Sequence, residues 1–225
     1  MNMYNSYIDH TLLGATAKIS DIKKLCDEAK QYSFKAVCVN PCYVRLAKEQ
    51  LKGSNVLVAT VVGFPLGANT FEMKKAEALD AIKNGADEID MVVNVGMVKD
   101  HNWEYVRRDI EKVHNACKMN ILFGKKTLKV ILETCYLTKE EIEEVCKIAS
   151  EVGADFVKTS TGFGTGGAKV EDVKLMKESI SPSMEVKASG GIRDLATLKA
   201  MVEAGATRIG CSSSVKIMEE LGEEK

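Results

Sequence analysis

Short runs of apolar, β-branched residues alternate eight times with longer amphipathic stretches along the chain, and this alternation limits what it can fold into. The runs fall at residues 7–9, 36–40, 56–62, 88–94, 128–133, 156–159, 185–188 and 208–211. Helical patterns follow each of them: 21–32 behind Ser20, 41–51 from Pro41, 71–84 behind Thr70, 103–118 after Asn102, 139–152 behind Thr138, 170–179, 195–204 behind Asp194, and 212–221. Three of the helix ends share one joint, with Gly85, Gly153 and Gly205 placed just past the last turn and a strand starting two or three residues later. Eight alternations in 225 residues suit a closed parallel (β/α)8 barrel. An open doubly wound sheet normally stops at about five to seven strands.

Proline is scarce (Pro41, Pro65, Pro182) and no Ser/Gly-rich linker interrupts the pattern, so a single TIM-barrel domain over residues 1–225 is expected. A chain of this size should bury about 70% of its unfolded surface, enough for a core without disulfides or metal. In such a barrel the chemistry belongs where strands end and loops toward helices begin.

Charged residues inside the apolar runs are therefore informative. Alternation puts Glu88, Asp90 and Val92 on one face of the fourth strand and Ile89, Met91 and Val93 on the other; the wholly apolar face must meet the helices, which turns Asp90 inward. The same parity turns Lys158 inward in FVKTS, Lys187 inward in MEVKAS, and Lys129, Ile131 and Glu133 inward in LKVILE. Any one of these charges could reach solvent at a strand end, or Asp90 and a lysine could form a structural ion pair. One acid and three lysines together are better explained by an active site, because a stable core would not collect three cations. Close interior lysines suit imine chemistry: desolvation and a neighbouring ammonium both favour the neutral, nucleophilic amine.

Three late loops are rich in small residues: 162–167 (GFGTGG), 189–191 (SGG) and 210–214 (GCSSS). The first matches G-x-G-x-x-G, but it follows the sixth strand and not the first, which argues against a dinucleotide. Tight βα turns alone would also use glycine. Three such loops near one helix N-terminus fit a phosphate better, since late loops commonly form that site in these barrels.

Lys and Arg total 31 against 32 Asp and Glu, so nothing in the charge balance calls for nucleic acid or an acidic membrane surface. The longest apolar stretch, residues 56–64, is about half of a membrane span, and the start of the chain lacks the pattern of a secretory signal. Seven cysteines without a CxxC pair suggest reduced thiols and a cytoplasmic location. Cys38 and Cys42 lack a second pair for zinc, and His10, His101 and His114 are scattered, so no metal is expected and the histidines receive no catalytic role. Cys38 is read as a buried small apolar residue, reactive toward aldehydes only if it faces the site.

The blocks YIDHTLL (7–13), KAVCVNP (35–41), VVGFPLGA (61–68), EIDMVVNVG (88–96), LKVILET (128–134), FVKTSTGFGTGGA (156–168), VKASGGIRD (186–194) and RIGCSSS (208–214) closely resemble those of the deoxyribose-phosphate aldolases of the short microbial type. The resemblance implies a metal-free and cofactor-free class I aldolase. It would cleave 2-deoxy-D-ribose 5-phosphate reversibly to D-glyceraldehyde 3-phosphate and acetaldehyde, in deoxyribose phosphate catabolism, with a homodimer as the first expectation. By the same matching Lys158 is the Schiff-base lysine, Lys187 the second lysine, expected to tune the Lys158 pKa and to relay protons, and Asp90 the proton-relay acid. Gly162, Gly190, Gly191, Gly210, Ser212 and Ser213 would hold the phosphate, and Lys129 would be a further cation at the substrate. Two departures stand out: Cys211 replaces a usual Thr or Ala, and the chain closes on residues 222–225 (GEEK) without the Tyr-terminated tail of some members.

Overall fold

The computed structural model describes residues 3–118 and 124–223, so Glu224 and Lys225 of the closing run lie outside the described residues. Eight parallel strands, β1 (Ile8–Leu12), β2 (Ala36–Val39), β3 (Leu57–Val62), β4 (Glu88–Val92), β5 (Thr127–Ile131), β6 (Phe156–Lys158), β7 (Glu185–Ser189) and β8 (Ala206–Cys211), pair in sequence order, and β8 returns to β1 to close a barrel. Around it lie α1 (Ile19–Tyr32), α2 (Val44–Gln50), α3 (Phe71–Lys83), α4 (Val95–Lys99), α5 (Trp103–Lys118), α6 (Lys139–Val152), α7 (Val170–Ser179), α8 (Leu195–Glu203) and α9 (Ser214–Glu223). The architecture is the (β/α)8 barrel that the alternation requires.

Local chemistry sets the helix starts. Thr138 accepts a hydrogen bond from Glu141 N at 3.3 Å while the Glu141 carboxylate accepts one from Thr138 N at 2.7 Å, a closed capping box. Asp194 caps α8 through Thr197 N at 2.8 Å. Ser20, expected as the cap of α1, lies inside that helix: the Asp21 carboxylate accepts from Lys18 N at 2.9 Å and moves the start back to Ile19. Pro41 opens a 3-10 turn, Pro41–Tyr43, that leads into α2. The short α4 was not expected from the sequence; Asn94 caps it by accepting from Met97 N at 3.1 Å. The Gly joints recur, with Gly85, Gly153 and Gly205 in left-handed conformations (φ 108°, 88° and 111°) that L side chains rarely adopt.

The apolar residues form two separate bodies. The larger lies between strands and helices and takes the outward faces, for example Ile89, Met91, Val130, Val157, Val186 and Ala188. The smaller fills one half of the barrel interior with Ala36, Cys38, Ala59 and Val61 from β2 and β3. Across the other half the interior holds charge: Glu88 and Asp90 of β4, Lys129 of β5, Lys158 of β6, Lys187 of β7 and Arg208 of β8, together with Asp9 of β1. Among the described residues no helix is long and apolar enough to cross a membrane.

Candidate active site

Strand register brings the interior charges together. Lys158 pairs with Lys187 across β6 and β7, Lys187 with Arg208 across β7 and β8, and Asp90 with Lys129 across β4 and β5. Because Ile131, not Lys129, is level with Lys158, Lys129 lies two residues deeper toward the bottom of the barrel.

Asp90 is completely buried and shared by three lysines: its Oδ2 accepts from Lys158 Nζ at 2.9 Å and Lys187 Nζ at 2.8 Å, and its Oδ1 from Lys129 Nζ at 2.8 Å. Two further acids complete the cluster. Asp9 accepts from Lys187 Nζ at 2.5 Å and Arg208 Nη1 at 2.7 Å. Glu88 accepts from Lys129 Nζ at 2.5 Å and from both Arg208 nitrogens at 2.9 and 3.1 Å. Fully ionised, the seven groups carry four positive and three negative charges, which leaves one surplus cation.

Lys158 is that cation by contact: its only carboxylate partner in the cluster is Asp90 Oδ2, which it shares with Lys187. Burial pushes its amine below the usual lysine range; Asp90 opposes this, and the Lys187 ammonium adds to the fall. Burial acts on Lys187 too, but Asp9 and Asp90 outweigh it and hold that side chain protonated, with its pKa raised. Burial would raise the Asp90 carboxyl, and the three lysines overcome it and hold it well below the usual carboxylate range. Neighbouring lysines on one level of the barrel are thus driven in opposite directions. One is a permanent cation and the other a weakened one.

A cavity of about 290 Å³ opens above the cluster at the C-terminal ends of the strands. Of the seven charged groups, Lys158 alone lines it, with Gly162, Gly190, Gly191, Gly210 and Ser212 on the surrounding wall. A Cβ at Gly210 would stand 3.0 Å from Lys187 Cε, so the glycine leaves room for the second lysine beneath the wall. The structure therefore brings Lys158, Lys187 and Asp90 together and places the four glycines and Ser212 around them. It separates two other candidates. Lys129 is fully buried in the deeper layer and does not line the cavity, because its strand register sets it below Lys158. Ser213 lines a neighbouring cavity between α1 and α9, since α9 starts at Ser214 and the turn before it directs Ser213 to that side. Cys38 is buried in the apolar half of the interior, and burial pushes its thiol up, with Asp90 adding to the rise.

Glu133 departs from strand parity. It follows β5 in a left-handed conformation (φ 58°), and its carboxylate accepts from Thr161 N at 3.1 Å and from the Thr161 hydroxyl. It ties the β5 loop to the glycine-rich β6 loop just beyond Lys158. Asp9, Arg208 and Glu133 had no assigned role in the sequence. Inward parity in RIGC (208–211) was the available signal for Arg208; the expected strand 7–9 was too short to fix a face for Asp9. No group of three or more His, Cys, Asp or Glu among the described residues could hold a metal ion.

The β6 and β7 loops meet through backbone: Ala168 N–H donates to Gly190 O at 2.9 Å, and a Cβ on Gly167 would lie 2.3 Å from that same oxygen. Gly167→Ala must push Gly190 away, and overpacking of this kind costs about 1–3 kcal/mol. A lower urea midpoint is expected, and an unchanged midpoint would show that the loops yield freely.

A barrel with one weakened lysine exposed to a glycine-walled cavity at its strand ends has the layout of a barrel aldolase. The chain belongs to the DeoC/LacD family of aldolases, whose family model matches residues 4–219. It is 57% identical to the deoxyribose-phosphate aldolase of Thermoanaerobacter sp. (strain X514) over 95% of this chain and 94% of that protein. It is also 57% identical to the deoxyribose-phosphate aldolase of Staphylococcus carnosus (strain TM300) over 97% of this chain and 96% of that one. Among solved structures, the tetrameric deoxyribose phosphate aldolase of Aeropyrum pernix superimposes with a TM-score of 0.89 at 33% identity, covering 98% of this chain and 92% of that chain.

Proposed function

We propose that the protein is a class I aldolase that reversibly cleaves 2-deoxy-D-ribose 5-phosphate to D-glyceraldehyde 3-phosphate and acetaldehyde, with Lys158 as the imine-forming residue. The observation that carries this reading is that Lys158 is both the least compensated cation of the interior cluster and the one that lines the cavity. Neutral Lys158 Nζ adds to the C1 carbonyl of the open-chain sugar, and the carbinolamine hydroxyl takes a proton from solvent and leaves as water, which gives a protonated imine that draws electrons from the C2–C3 bond; the final hydrolysis returns that proton. The C3 hydroxyl gives up its proton as that bond breaks. Asp90 lies behind Lys158 and not on the cavity wall, so it takes this proton through water. D-Glyceraldehyde 3-phosphate leaves, the enamine takes a proton at carbon, and hydrolysis frees acetaldehyde and the amine. Lys187 stays charged throughout and keeps the Lys158 pKa down.

The phosphate is assigned to the cavity wall at Gly162, Gly190, Gly191, Gly210 and Ser212, where backbone N–H groups and the start of α9 favour an anion. The protein is further read as cytoplasmic and as a homodimer, and light scattering tests the second of these. Borohydride added with acetaldehyde should fix a two-carbon adduct on the peptide that contains Lys158. An adduct confined to Lys187 would exchange the roles of the two lysines, and no adduct at all would end the imine reading.

A further inference from the structure

His10 follows Asp9 on β1 and so points to the other side of the strand, away from the charged interior. Its ring is buried between α1 and α9, with Nε2 2.8 Å from Glu28 Oε2 and Nδ1 3.0 Å from Ser214 Oγ. Ser214 is completely buried, which excludes it as a nucleophile, and its oxygen has two further neighbours, the Cys211 carbonyl at 3.1 Å and the Cys211 thiol at 3.3 Å. His10 and Cys211 are also register partners across β1 and β8. The turn from Cys211 to Ser214 is therefore held from behind by an imidazole.

The Ser214 hydroxyl has one proton for two strong acceptors, the ring nitrogen and the Cys211 carbonyl, while the Cys211 sulfur is a weak donor and a weak acceptor that competes with neither. With a neutral ring, Nε2–H donates to Glu28, Nδ1 accepts, and the Ser214 hydroxyl donates to His10. With a protonated ring, Nδ1–H donates to Ser214 Oγ and the hydroxyl turns to the Cys211 carbonyl. The second arrangement places a buried positive charge directly behind the turn that carries Ser212 and starts α9.

We propose that His10, held by Glu28, is a positioning residue for phosphate recognition, and that filling the turn at residues 211–214 with a dianion draws a proton onto its ring. The proposal rests on the phosphate assignment made above. The groups that face the ring agree with it: Glu28, Lys24 and Asp21 come from α1 and Lys216 from α9 around a shared cavity of about 410 Å³, and the Phe34 ring lies 5.3 Å away. The nearby cations have their own acceptors, Lys24 on Glu28 at 3.7 Å and Lys216 on Glu220 at 3.2 Å. Asp9 faces the interior and is taken by Lys187 and Arg208. Burial holds the free ring below the ordinary histidine range while Glu28 pulls it up, so the empty site is poised to gain a proton when an anion arrives.

Coupling is reciprocal: if the dianion raises the affinity of the ring for a proton, the protonated ring raises the affinity for the dianion by the same factor. A factor of about fivefold or more is expected. KM for phosphorylated substrate should then fall as pH drops between the ring's pKa in the empty and occupied sites. Because His10 lies on the far side of β1 from Lys158, kcat should not share this dependence.

Sulfate is the probe of choice, since it stays a dianion throughout this range and takes up no proton of its own. Titration calorimetry in buffers of different ionisation heat counts the protons bound with each sulfate. The wild type should take up a fraction of a proton near pH 6.5. Glu28→Gln, which retains an acceptor oxygen but loses the charge, should bind sulfate more weakly with uptake moved to lower pH, and His10→Gln should lose the uptake. Sulfate binding without proton uptake by the wild type would overturn the proposal and leave the phosphate assignment standing. Uptake that is equal in all three proteins would overturn it as well. Sulfate that neither binds nor competes with deoxyribose 5-phosphate would remove the anion site and this proposal with it.

Discussion

Lys158→Met is expected to lower kcat/KM for deoxyribose 5-phosphate by about 10⁴-fold or more and to abolish borohydride trapping, while the barrel melts no lower than the wild type. The activity loss follows from removing the nucleophile that both halves of the reaction use. The stability follows from charge. A lysine whose folded pKa lies below its unfolded one binds its proton less well in the native state, so at neutral pH its protonated form costs stability, and the cost fades as pH rises from the folded value toward about 10.5. Methionine fills a similar volume without that cost, and it leaves three cations facing three acids. Thermal unfolding at pH 7 and at pH 10 checks the argument: the variant's advantage should shrink at the higher pH. A variant that melts well below the wild type at pH 7 would show that Lys158 is a structural ion-pair member and that the surplus charge lies elsewhere.

The inward lysines were legible because a strand alternates with period two and the opposite face of each run is mostly apolar, wholly so in the fourth strand. The same parity in RIGC (208–211) offered Arg208, but an arginine at the first position of an expected strand reads equally well as a solvent-facing end. Glu88 shared the inward face with Asp90 but was given no part, and without Asp9 and Arg208 the interior looked like one acid among three lysines; in the structure it is nearly neutral, and the imbalance resides on one residue. Depth was not legible either. Lys129 and Lys158 have the same parity, and what separates a buried cation from one at the cavity is the register between β5 and β6, which no single strand encodes. Glu133 was assigned to the interior by counting from Lys129, and its left-handed backbone breaks that count. Lys74 shows the opposite failure. It is fully buried among the helices, donating to Asp109 at 2.5 Å and Val92 O at 2.8 Å, yet it sits in an ordinary amphipathic pattern where nothing marks it as buried.

Asp90→Asn separates the two roles that the cluster gives to one carboxylate. The substitution preserves shape and one acceptor oxygen but removes the charge shared by three lysines. With the counter-charge gone, the Lys158 amine should fall further, so imine formation with acetaldehyde, followed by borohydride trapping, should begin at lower pH than in the wild type. Cleavage of deoxyribose 5-phosphate should nevertheless slow by about 10²- to 10⁴-fold, because the C3 hydroxyl proton loses its acceptor. Stability at pH 7 should drop by about 3–5 kcal/mol, the usual result of leaving buried cations without their partner. That loss depends on pH with a definite sign. A carboxyl held well below its ordinary value of 3.8 contributes its full stability above that pH and loses it as pH falls through the folded value, so wild type and variant should converge in strong acid. Trapping that begins at higher pH in the variant would mean that Asp90 does not raise the Lys158 pKa, and full cleavage activity would remove it from the proton path.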